Sequence, residues 1–238
     1  MSRPEAAGHV VFKDLCVDAV DAAGAAAFWG PVLGLGVTAR EGGVFLLRDD
    51  VDERAVWVNP VPEPHTVKNR VHLDVHVAAV QDLVRRGATV LADDQPWTVL
   101  ADPDGAELCA FVRPPTELPG YRLYELVVDA ADPELLSRWW ADRLAGIAGT
   151  EPGQPFWWVE GGAGVPWDLV FNRVPEPKTV KNRVHWDVWG RTEDLLAAGA
   201  TLLRGVDDEN GWDVLADPEG NEFCAFRPGP QDPGGASG

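Results

Sequence analysis

The chain has 238 residues, 38 acidic against 20 basic, and a formal charge of −18. A field of that sign repels a phosphate backbone and excludes nucleic acid as a partner. No run of about 18 apolar residues occurs, which excludes a membrane-spanning helix.

Hydrophobic residues at 45% and charged residues at 24% are ordinary globular composition, with room for two domains of about 110–120 residues. The opening residues MSRPEAAGHVVF lack the basic segment and apolar core of a secretion signal. Cys16, Cys109 and Cys224 are an odd number with no close spacing, so no disulfide framework is expected. Together these features predict a cytoplasmic protein.

In chain order, residues 9–17 (HVVFKDLCV) read as a strand. Strict alternation puts Phe12, Asp14 and Cys16 on one face and Val11, Lys13, Leu15 and Val17 on the other. Neither face is cleanly apolar, which points to a polar cavity on one side. Asp21 is a helix N-cap, and Ala25, Phe28, Trp29, Val32 and Leu33 recur at helical spacing. Pro31 weakens the end of that helix, and Gly34 and Gly36 stop it. Short strands follow at 37–41, 44–48 and 55–59, with Gly42-Gly43 as the turn between the first two. After the loop VPEPHTVKN come a strand at 70–77, a helix near 80–87 and strands near 88–92, 97–101 and 106–112. Asp102-Pro103-Asp104-Gly105 has the chemistry of a type I turn. The order β-α-β-β-β thus occurs twice.

It then occurs twice more. Residues 61–75 (VPEPHTVKNRVHLDV) and 174–188 (VPEPKTVKNRVHWDV) agree at thirteen of fifteen positions, at an offset of 113. VLADPDGAELCAF at 99–111 returns as VLADPEGNEFCAF at 214–226. A period of 113 is a whole small domain rather than a solenoid repeat. The sequence therefore divides into a domain at 9–113, a proline-rich linker at 114–120, a second domain at 121–227 and an unstructured tail at 228–238. Asp132-Pro133-Glu134 opens the first helix of the second copy.

The β-α-β-β-β order, the Phe-Trp…Leu-Gly helix, the KNRVHLDV strand and the ADPDG turn resemble the glyoxalase-like domain of the vicinal oxygen chelate superfamily. That superfamily holds glyoxalase I, bleomycin-resistance proteins and extradiol dioxygenases. The resemblance covers residues 10–112 and 121–227. It implies an α+β fold: two tandem domains, each of two βαβββ modules that curl their sheets into a cup with helices outside. It also implies that the copies pack as a pseudo-dimer within one chain, so that a monomer suffices.

Metal-using relatives place ligands on the cup face. Carried onto this sequence, the positions are Asp14 and Glu125 on the first strands and His72 and His185 on the strands after the KNR loops. A glutamate is expected seven residues past the first Asp of each turn, where Cys109 and Cys224 stand instead. Glu107 and Glu222, two residues earlier on the same face, are the nearest replacements. A fourth position falls in VWVN or LVFN, neither of which holds His or Glu. Asp74 and Asp187 share the strand face of His72 and His185. The implied cofactor is accordingly none, or a divalent ion (Zn, Fe, Mn or Ni).

Each signal also has an ordinary account. A histidine beside an acid also serves as a buried hydrogen-bonded pair. A cysteine is commonly a small apolar core residue. Lys68-Asn69-Arg70 and Lys181-Asn182-Arg183 grip an anion or, more simply, fasten their loops to nearby acids. Of eleven tryptophans, eight lie in the second copy. Alternation sends Trp186 toward the helices and Trp189 to the face of His185, where it replaces His76 of the first copy. It also points Trp157 and Trp158 in opposite directions, which leaves one of them, Trp158, as a cup-wall candidate. Aromatic walls with a few polar groups suit a flat organic ligand. The expected ligand-binding set is His72, Asp74, His76, His185, Asp187, Trp189 and Trp158, with copy one the more polar cup and copy two the more aromatic. No residue is assigned a catalytic role. The expected function is binding of an aromatic or natural-product small molecule. The alternative is a metal-dependent lyase, isomerase or dioxygenase.

Overall fold

A computed structural model describes residues 8–227; the tail at 228–238 lies outside the described residues. The first copy contains β1 Val11–Ala19, α1 Ala22–Leu33, β2 Gly36–Ala39, β3 Phe45–Arg48, β4 Val56–Pro60, β5 Val71–Val77, α2 Val80–Arg85, β6 Thr89–Ala92, β7 Thr98–Ala101 and β8 Glu107–Val112. The second contains β9 Leu123–Ala130, α3 Pro133–Leu144, β10 Ile147–Gly149, β11 Phe156–Glu160, β12 Asp168–Arg173, β13 Val184–Trp189, α4 Thr192–Ala197, β14 Thr201–Arg204, β15 Asp213–Ala216 and β16 Glu222–Phe226. These are the four βαβββ modules read from sequence.

Local chemistry accounts for the element ends. Asp21 accepts from Gly24 N at 2.9 Å to cap α1, and Asp132 accepts from Leu135 N at 3.2 Å to cap α3. Helix α1 runs through Pro31 and ends at Gly34 in the left-handed region. Pro31 therefore costs one backbone bond without breaking the helix. Gly42 and Gly43 both adopt positive φ, 70° and 78°, which is why two glycines stand between β2 and β3.

The modules pair across the copies. The strands form two eight-stranded sheets, β14-β15-β16-β13-β1-β4-β3-β2 and β10-β11-β12-β9-β5-β8-β7-β6. Each sheet thus joins one module of the first copy to one of the second, through the antiparallel pairs β1–β13 and β5–β9. Sequence reasoning placed a cup within each copy. In the structure each cup straddles both. β5 and β13 carry nearly the same residues, so both match β1 in hydrophobic pattern, and pattern alone does not choose between them.

The copy persists as a packing unit. Asp102 accepts from Asp104 N and Ala106 N, both at 2.9 Å, and from Trp29 Nε1 at 3.0 Å. Its turn belongs to one sheet and Trp29, on α1, lies over the other. Asp217 repeats this with Glu219 N, Asn221 N and Trp140 Nε1, at 3.0, 2.9 and 3.2 Å. A single apolar core runs through both sheets and includes Trp29, Trp140, Trp186, Phe171 and Phe223. Trp140 meets Trp139, Trp186 and Phe223 edge-on at centroid distances of 4.8, 4.8 and 5.1 Å. With Trp167, which packs on Phe12 at 5.2 Å, three of the second copy's tryptophans are core residues.

Candidate functional site

Two concavities lie on the inner sheet faces. The β1–β13 cup has a volume of about 790 Å³ and is lined by Cys16, Trp57, His185, Asp187, Trp212 and Phe226 among others. The β5–β9 cup has about 720 Å³, with His72, Asp74, Cys109 and Glu125 in its lining, together with Trp97, Phe111, Tyr124, Phe156 and Trp158. The partition by copy therefore dissolves. His72 shares its cup with Glu125 and Trp158 of the second copy, and His185 shares its cup with Asp14 and Cys16 of the first. The more aromatic and more acidic cup is the same one.

The strict alternation expected on the first strand breaks. The β1–β13 register slips between Phe12 and Asp14. Phe12 turns into the core, and Lys13 joins Asp14 and Cys16 on the cup side. The matching slip in β5–β9 falls at Tyr124, beside Glu125. The same bulge thus presents a lysine in one cup and a tyrosine in the other.

That difference governs the electrostatics. In the β1–β13 cup, Lys13 Nζ lies 2.6 Å from Asp14 Oδ2 and 3.9 Å from Asp187 Oδ2, and Trp57 Nε1 donates to Asp14 at 2.8 Å. Burial and then the neighbouring Asp14 push the Asp187 carboxyl well up. Cys16 Sγ lies 3.8 Å from Asp187 Oδ2, and burial followed by that acid pushes its thiol up. Burial holds His185 down, toward the neutral imidazole.

In the β5–β9 cup, His72 Nε2 lies 3.2 Å from Asp74 Oδ1 and 3.6 Å from Cys109 Sγ. Burial, then Asp74, push the Cys109 thiol up. Glu125 pairs with Asp74 across the strands and has no cation beside it. Burial, then the charge of Asp74, raise its pKa to about 7. Asp168 is raised by burial and then by Glu160.

Because the Glu125 pKa lies above its ordinary value of 4.5, the residue supports the fold fully below that pH and loses its contribution as pH rises to about 7. Between pH 4.5 and 8 the wild type is expected to lose about 1–2 kcal/mol more than Glu125→Gln, a figure reduced for the residue's partial exposure. Urea unfolding of both proteins across that range measures it; parallel pH profiles would contradict the assignment.

Glu107 Oε2 accepts from Asn69 N at 2.9 Å, and Glu222 accepts from Asn182 N at 3.1 Å and Lys178 Nζ at 2.6 Å. Both glutamates line their cups while holding the KNR loops. Lys68 pairs with Asp129 and Lys181 with Asp18, so the lysines of these loops are fastened to acids. His76 stacks on Tyr124 at 4.4 Å and Trp189 packs on Phe226 at 5.7 Å. Each backs a lining ring and does not itself line the cup, because it sits at the strand end beyond the bulge. Trp157 lies on the opposite face from Trp158, with the Arg138 guanidinium 5.4 Å from its ring. Sequence reasoning missed Trp57, Trp97, Phe111, Tyr124, Phe156, Glu160 and Asp168. Two-residue alternation reaches Phe156 and Glu160 from Trp158, and Phe111 from Cys109; the others needed the pairing of strands.

Each cup holds one donor cluster of a size that suits a divalent ion. His72, Asp74 and Cys109 offer donors within 4.8 Å of one another, as do Cys16, His185 and Asp187. Imidazole, carboxylate and thiol are a zinc-type donor set. Asp74 Oδ1 and Asp187 Oδ1 are buried without an aligned hydrogen-bond donor, with His72 Nε2 and His185 Nε2 at 3.2 and 3.9 Å, a geometry that suits metal-ligating oxygens. Each triad fits three coordination positions. Opposite His72, however, stands Val127, and beside it Val170; Glu125 and Asp168 of the β9–β12 half line the cup but fall outside the 4.8 Å donor cluster.

A profile of the glyoxalase-like domain matches residues 14–111 and 125–226. The chain belongs to this family. Among solved structures it is similar to glyoxalase I from Zea mays, with 12% identity, a TM-score of 0.61 and 92% of each chain covered. The V278E mutant of that protein gives 13% identity, a TM-score of 0.63 and 92% of each chain covered. A putative dioxygenase from Bacillus subtilis gives 12% identity and a TM-score of 0.58, covering 94% of this chain and 87% of that one. At these identities the likeness is one of fold. No curated protein matches.

Proposed function

We infer that this protein binds a small, flat, aromatic molecule in its sheet cups, as a cytoplasmic recognition or sequestering protein. The observation that carries the reading is the β5–β9 cup. Five aromatic rings (Trp97, Phe111, Tyr124, Phe156 and Trp158) surround about 720 Å³, with polar groups gathered on the floor. Trp97 and Phe111 stack at 5.5 Å on one side, and Phe156 and Trp158 stand 6.2 Å apart on the other. Such opposed walls sandwich a planar ring system. The test is a thermal-shift screen of planar aromatics, followed by titration. Hits are expected to raise Tm, and Trp158→Ala is expected to weaken them about 30-fold, the loss of one large aromatic anchor of about 2 kcal/mol. Absence of hits, or hits indifferent to wall substitutions in both cups, would refute it.

A second reading rests on the His72–Asp74–Cys109 triad. Those residues would hold a divalent ion, and its Lewis acidity would serve a lyase, isomerase or dioxygenase reaction. Elemental analysis of protein purified without tag or chelator decides between the two. About one ion per chain, lost in both His72→Ala and Cys109→Ala, favours the metal enzyme.

A further inference from the structure

We propose that the β5–β9 cup selects an aromatic cation, a protonated amine or quaternary ammonium carried on a flat ring. This rests on the aromatic-cup reading and adds the ligand's charge and the choice of cup.

The first support is charge. Six carboxylates line this cup: Asp74, Glu107, Glu125, Asp129, Glu160 and Asp168. They face a single lysine, Lys68, which is already paired with Asp129. The β1–β13 cup sets four acids, Asp14, Asp18, Asp187 and Glu222, against three cations, Lys13, Lys181 and Arg204. The contrast arises at equivalent positions. Leu15 lies beside Val56 as Leu126 lies beside Leu169, and Leu47 pairs with Val56 as Val159 pairs with Leu169. In that register Tyr124 replaces Lys13, Glu160 replaces Arg48 and Asp168 replaces Ala55. Each change makes the β5–β9 side more negative or less positive.

The second support is independent of the count. Asp74 lines the cup at only 5% exposure, and its Oδ1 has His72 Nε2 at 3.2 Å but no aligned hydrogen-bond donor. A buried carboxylate oxygen without a donor is costly, and a ligand N–H or ammonium relieves that cost. The ring faces are the third support. Trp, Tyr and Phe present negative π-faces, which attract a cation within about 6 Å of the ring centre. Walls and floor thus favour the same sign of charge, and in a shaped concavity that field is only partly screened by salt.

The test uses three fluorescent probes of one shape: 9-aminoacridine (a cation at neutral pH), acridine (neutral) and acridine-9-carboxylate. The full chain is titrated with each in the presence of EDTA. 9-Aminoacridine is expected to bind at least about 30-fold tighter than the carboxylate. The double variant Glu160→Gln, Asp168→Asn, with circular dichroism and Tm checked against wild type, is expected to lose about ten-fold of the cation's affinity and little of neutral acridine's. Removing two of 38 acids leaves general attraction to an acidic protein nearly unchanged, so a cation affinity that ignores the double variant would overturn the proposal. Equal affinities for all three probes, weakened by Trp158→Ala, would overturn the charge selection and leave the aromatic cup standing. Binding of none of them would overturn both.

Discussion

Residues 1–116 produced alone will not give a folded monomer. The central partner of β1 is β13 and that of β5 is β9, and both partners lie in the second copy. Removing that copy cuts each eight-stranded sheet at its middle. It bares the long edges of β1 and β5, whose Leu15, Val17, Leu73 and Val75 are otherwise buried. Such edges recruit another chain. Because β5 carries the KNRVHLDV residues that β13 repeats, a second fragment can supply the missing partner. Sedimentation equilibrium is expected to show a dimer or larger species whose stability rises with concentration. A folded monomer at low concentration would contradict the strand pairing described above.

Trp140→Ala is expected to cost about 3–5 kcal/mol, the upper range for an aromatic core truncation. Trp140 is fully buried among three aromatic neighbours, and its indole N–H satisfies Asp217. Burial already raises Asp217 to about 6 against donors that favour its charged form, the indole N–H among them. Losing that donor pushes the carboxyl higher still. Since the folded value exceeds the ordinary 3.8, the variant's deficit should widen as pH rises from about 4 through the folded pKa. Trp140→Phe keeps most of the apolar contact and removes only the donor, at an expected cost of about 1–3 kcal/mol. Urea titrations at pH 5 and pH 7.5 separate the two effects. Equal stability of Trp140→Phe and wild type at the higher pH would show that the Asp217 bond contributes nothing.

The repeat made the modules legible, because a 113-residue echo needs no tertiary information. Turn chemistry was legible for the same local reason: Asp102 and Asp217 each satisfy the backbone of their own turn. The partnering of modules was not legible, since the two candidate partners of β1 are almost the same sequence. That ambiguity spread to the site. Assigning His72 to Asp14 and His185 to Glu125 followed from treating each copy as a cup, and the crossed pairing exchanges the two acids. The slip at Lys13 was equally hidden. A bulge inserts one residue into a two-residue rhythm, and nothing in HVVFKDLCV marks where the rhythm changes. Three of the second copy's eight tryptophans, Trp140, Trp167 and Trp186, belong to the core, and a large ring in a core and one on a binding surface look alike in one dimension.

The crossed pairing also bears on how the two sites can change. In an assembly of two identical halves, every substitution appears in both concavities at once. Here the β1–β13 cup is written in one set of codons and the β5–β9 cup in another, though both use the same four-module plan. Lys13 and Tyr124 show what that permits: one bulge carries a counter-ion for its acids and the other an aromatic ring. A single chain can thus keep two chambers of one shape and opposite temperament, each open to mutation without altering the other.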